Sequence, residues 1–81
     1  LPEDQIAEIA SIIGSVPGVI AFHRLRTRRI GANIAIDTHV KMDGGISLRN
    51  AHEIASEIER LLKKKYGAAT YIGIHMEPFK G

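Results

Sequence analysis

The residues able to do chemistry in this 81-residue chain are four histidines and one well-placed glutamate. The most telling stretch is Ile72-Gly73-Ile74-His75-Met76-Glu77-Pro78. Read as a strand, it alternates faces. Ile72, Ile74 and Met76 then point into a core, and Gly73, His75 and Glu77 point the other way. An imidazole and a carboxylate about 6–7 Å apart on one strand face can share a divalent cation. Pro78 is expected to end the strand, because it cannot donate to a ladder. The chain has no cysteine, so disulfides and thiolate metal sites are excluded and any ion must take nitrogen and oxygen ligands. Imidazole with carboxylate suits zinc and its first-row neighbours, and the ligand types do not choose among zinc, manganese, iron, cobalt and nickel.

The elements that must hold these side chains follow from periodicity. Residues 2–16 read as a helix, with Ile6, Ile9, Ala10, Ile13 and Val16 on one stripe and Pro2, Glu3 and Asp4 in a favourable first turn. Pro17-Gly18 ends it. Residues 19–30 form a strand of imperfect alternation: Ile20 and Phe22 share one parity, His23 and Leu25 the other, so either Leu25 is exposed or a bulge shifts the register. Gly31-Ala32 makes a hairpin turn. Residues 32–42 form the clearest strand, Ile34, Ile36, Thr38, Val40 and Met42 facing one way and Asn33, Ala35, Asp37, His39 and Lys41 the other. Ser47 caps a helix over residues 48–66, whose buried stripe is Leu48, Ala51, Ile54, Ala55, Ile58, Leu61 and Leu62. Lys63, Lys64 and Lys65 suit its end, and Gly67 caps it. A last strand covers residues 69–77, and residues 79–81 are a tail.

The order helix, strand, strand, helix, strand defines an α+β domain. The first two strands form an antiparallel hairpin, and the second and third are parallel through a right-handed crossover. Two helices cover one face of a three-stranded mixed sheet. This topology brings His23, His39, His75 and Glu77 to one rim without any template. His52, in the second turn of the second helix, reaches the same rim from the helix side. It could meet the others only around the sheet edge or through a neighbouring subunit. Metal ligands are therefore expected among His23, His39, His52, His75 and Glu77. Asp37, on the same open face, is a candidate to hold a ligating imidazole from behind. The His75–Glu77 pair, fixed on one rigid strand, is expected to anchor the ion.

Other features are weaker. Arg24, Arg26, Arg28 and Arg29 could meet phosphate or an acidic partner, but a charged edge strand explains them more simply, and nothing aromatic interleaves them as nucleic-acid binding would need. The net charge of +2 is too small to imply a nucleic-acid or membrane partner by itself. No apolar run approaches the roughly 18 residues that span a bilayer. The chain begins at Leu1 without methionine, as a fragment of a longer protein would.

The run Val16-Pro17-Gly18-Val19, then His23-Arg24-Leu25-Arg26-Thr27-Arg28, His39, Ser47-Leu48 with Ala51-His52, and Ile74-His75-Met76-Glu77-Pro78 resembles the cytoplasmic C-terminal domain of cation diffusion facilitator transporters. The resemblance covers nearly the whole chain. It implies a metallochaperone-like αββαβ fold, a relative of the ferredoxin-like folds. Residues 1–81 would be a single cytoplasmic regulatory domain at the C-terminus of a multi-pass membrane protein. It further implies homodimerisation, an attached transmembrane domain beyond this sequence, and zinc as the expected ion. No catalysis, nucleic acid or small-molecule substrate is expected. The five residues named above carry over as ligands, with Glu77 where zinc members have aspartate, which puts a two-ion site in doubt. A free-standing metallochaperone and, further off, a metal-dependent hydrolase are the alternatives.

Overall fold

The structure, a computed structural model, describes residues 3–79. Pro2 at the expected helix start and the tail residues Lys80 and Gly81 lie outside that range. The order is α1 (Glu3–Ser15), β1 (Ala21–Ile30), β2 (Asn33–Asp43), α2 (Leu48–Tyr66) and β3 (Tyr71–Phe79). The sheet runs β1-β2-β3, with β1 antiparallel and β3 parallel to the central strand.

Alternation on β2 builds the core. Ile34, Ile36, Val40 and Met42 pack against Ile9, Ile13 and Val16 of α1 and Ile58 and Leu62 of α2. Both helices therefore cover one sheet face, as the apolar stripes require. Local signals set α2. The Ser47 hydroxyl accepts from the Asn50 N–H at 3.1 Å, and Gly67, at φ +111°, donates to the Lys63 carbonyl at 2.8 Å. A polar tie joins the helices where the Tyr66 hydroxyl donates to Glu8 Oε1 at 2.5 Å. Desolvation first, then the Glu8 carboxylate, push the Tyr66 hydroxyl up to about 12. Tyr66→Phe is expected to cost about 1 kcal/mol, lowering the melting temperature by roughly 4–8 °C. A melt unchanged within a degree would show the bond to be idle.

Three local expectations are corrected, the first being Met76, which is 39% exposed and does not join Ile72 and Ile74 against the core. Pro78 does not end β3; it pairs with Met42 and the strand continues to Phe79. An edge strand bonds on one side only, so an outward-facing position tolerates proline. Leu48 does not join the buried stripe; it is 76% exposed, because the first turn of α2 stands beyond the core.

The imperfect alternation of β1 resolves as a bulge. His23 pairs with His39 and Arg26 with Asp37, so Arg24 and Leu25 together oppose Thr38. Arg24 sits at φ +53°, where a non-glycine residue costs roughly 1–2 kcal/mol. The bulge turns Leu25 into the core, and Arg26 and Arg28 onto the open face with His23.

Candidate metal centre

Strand register fixes the site. His23, His39 and His75 form one row across β1, β2 and β3, and Glu77 lies one pair further along β3. All four share the open sheet face, with helices only on the other. Thr38 steadies the row from below. It is fully buried, and its hydroxyl donates to the His23 carbonyl at 3.2 Å, next to the irregular pairing. A hydroxyl among the inward apolar residues of β2 was the sequence signal for this role, and sequence reasoning missed it.

Glu77 reaches across β2 to hold two imidazoles at once. Its Oε1 lies 2.9 Å from His23 Nε2 and its Oε2 lies 2.6 Å from His39 Nδ1. The hydrogen bond from His23, then that from His39, lowers the Glu77 carboxyl to about 2. One ligand atom from each of these three residues lies within 4.8 Å of the others. Donors around a tetrahedral zinc at 2.0–2.1 Å stand about 3.4 Å apart, so an ion needs only small side-chain movements here. The same two ring nitrogens that now donate to the carboxylate would turn lone pairs to the cation. Metal binding therefore releases protons or moves them to the far ring nitrogens. The residues fit a divalent cation.

His75 is placed differently. Its ring stacks on that of His39, with centroids 4.7 Å apart and planes 17° apart, and it does not join the three-residue group. His52 is exposed on α2, in the helix layer, and also lies outside that group. Asp37 lies against Gly73 of β3, where any side chain on residue 73 would strike its carboxylate. It also lines a shallow pocket with Arg24, Arg26, His39 and His75. Among the described residues it makes no hydrogen bond to an imidazole.

An αββαβ domain whose open sheet face gathers imidazoles and a carboxylate at one rim has the form of a metal-binding domain. The chain belongs to the family of cation efflux protein cytoplasmic domains, whose model matches residues 1–79. The cation-efflux pump FieF of Pectobacterium atrosepticum is 40% identical over 78 residues, which is 96% of this chain and 26% of the pump. The chain thus spans about a quarter of the length of that curated relative. Among solved structures, the candidate zinc transporter CzrB superposes with a TM-score of 0.88 at 26% identity, covering 98% of each chain. Its zinc form gives a TM-score of 0.85 at 26% identity, covering 96% of this chain and 89% of the other.

Proposed function

We propose that this chain is the metal-sensing, dimerising domain at the C-terminus of a longer divalent-cation efflux transporter, and that zinc is its ion. The observation that carries the reading is the single carboxylate of Glu77 joining His23 Nε2 and His39 Nδ1. A carboxylate and two imidazoles on rigid strands match the preferences of zinc and leave coordination positions open on the exposed side. His75, stacked on His39, and His52, exposed in the second turn of α2, would supply further donors to that ion or across a contact with a second copy. The zinc form of CzrB supports the choice of ion. The partial coverage of the pump relative supports a transmembrane portion outside this sequence. The role is regulatory and not catalytic, in keeping with a family of transporter domains.

The mechanism is a population shift. An ion whose last ligands come from a second copy binds the closed pair better than the splayed one. That difference in affinity is all that can drive closure. Attached membrane helices would then follow the two domains. Sedimentation with and without zinc tests this: the chain is expected to be dimeric, or to become so with zinc. A strictly monomeric species at high concentration in both conditions overturns the dimer.

A further inference from the structure

The end of the molecule opposite the metal rim carries a different set of groups. β3 begins at Tyr71, opposite Ala35, so the tip of the β1–β2 hairpin projects beyond it. Arg28, Arg29, Gly31 and Ala32 are all exposed there, and Ile30 is 49% exposed. Among the described residues, nothing beyond its own chain neighbours lies within 4 Å of where a Gly31 side chain would start. Among the described residues, neither Arg28 nor Arg29 makes a salt bridge. The start of α1 faces this same end. Tyr66 and Lys65, in the last turn of α2, both reach Glu8, and Glu3 lies about 7.5 Å further along the helix axis. Lys63 and Lys65 are taken up by Glu59 and Glu8, whereas Lys64 is exposed and adds to the positive charge. Glu3 and Asp4 offset part of it on the helix side and leave the hairpin basic.

We propose, on the reading of this chain as part of a membrane transporter, that the hairpin tip docks on the anionic headgroups of the bilayer. Arg28 and Arg29, on opposite faces of β1, would meet lipid phosphates while Ile30, beside Arg28 on the open face, enters the interface. A basic collar around an apolar apex is what an interfacial contact needs, since charge attraction and apolar burial add. A free phosphate would gain nothing from an exposed isoleucine, and a nucleic acid would want aromatic faces that the tip lacks. The domain would then be held at both ends, by metal at one rim and by lipid at the other.

Co-sedimentation of the chain with phosphatidylglycerol-containing vesicles, against pure phosphatidylcholine vesicles, tests the contact. Binding is expected only with the anionic lipid and is expected to weaken with salt. Arg28→Glu with Arg29→Glu should reduce it at least about tenfold. Single Arg29→Glu should reduce it more than Arg49→Glu, which changes net charge equally at the start of α2. Ile30→Ser, which keeps every charge, should also weaken it. Because the chain has no cysteine, Ile30→Cys can carry an environment-sensitive dye, whose emission should shift to the blue on anionic vesicles while the same dye on Arg49→Cys does not. Equal binding to both vesicle types, equal effects of Arg29→Glu and Arg49→Glu, or an equal dye shift at both positions overturns the proposal. So does competition by inorganic phosphate at matched ionic strength, which would mark a soluble-anion site. Zinc titration of the same variants keeps the two readings apart. A chain that binds zinc but ignores vesicles loses only the lipid contact, and one that binds vesicles but not zinc loses only the sensor.

Discussion

Glu77→Gln and His39→Ala are each expected to weaken zinc binding by about a hundredfold, and His75→Ala by no more than about tenfold. Removing a residue that merely orients a ligand costs about 10–100-fold, so removing a ligand costs at least the upper end. His39 meets the carboxylate through Nδ1 and also supports the ring of His75. Its loss removes a donor and loosens a neighbour. Glutamine keeps the length of Glu77 but turns an amide N–H toward one of two imidazoles that need an acceptor. His75 stacks on His39 and stands outside the three-residue group, so its loss removes at most an outer donor and leaves that group intact. Calorimetric zinc titration of the variants gives the order. A greater loss from His75→Ala than from Glu77→Gln would move the ion to the β3 edge and restore the His75–Glu77 pair as its anchor.

Zinc at about a hundred times its dissociation constant is expected to raise stability by about 2.7 kcal/mol, or roughly 10–20 °C in melting temperature for a domain of this size. The shift should be large near pH 8 and mostly gone near pH 5.5, because imidazoles ordinarily take up protons around pH 6.5 and a protonated ring cannot bind metal. The metal-free chain should behave differently over that range. Its Glu77 carboxyl is lowered from the ordinary 4.5 to about 2. A lowered folded-state value stabilises the fold above about pH 4.5, and the contribution fades only as the pH falls from there towards 2. Loss of the zinc shift without loss of the metal-free melt is the expected pattern. An equal zinc shift at both pH values would argue against imidazole ligation.

Much of this was legible before any coordinates. The period-2 pattern from Ile34 to Met42 and the helical stripe from Ala51 to Leu62 defined the core, because each buries a single face. Chain order then placed three histidines in one row. Reach and ring orientation were not legible. Strand alternation puts His75 and Glu77 on one face but cannot say that Glu77 leans across β2 while His75 lies flat on its neighbour. Those choices depend on side-chain torsions and on who arrives first at the carboxylate. The exposure of Leu48 was hidden for a related reason. Periodicity marks the side of a helix that faces the sheet, not how far the sheet extends beneath it.

The extra residue in β1 also separates the strand into two phases. Ahead of Arg24, odd-numbered residues lie on the open face; beyond Leu25, even-numbered residues do. The histidine half and the arginine half of one strand are thus out of step by design of the backbone, and Thr38 latches the junction. Deleting Arg24 would restore an unbroken pairing rhythm without moving any residue on β2 or β3. With Leu25 alone opposite Thr38, His23 still pairs with His39 and Arg26 with Asp37, so both halves keep their faces. What the deletion removes is the left-handed backbone at Arg24 and the added twist that a bulge brings. A single-residue deletion in this strand would thereby alter the pitch between the two ends of the molecule and leave the faces they present unchanged.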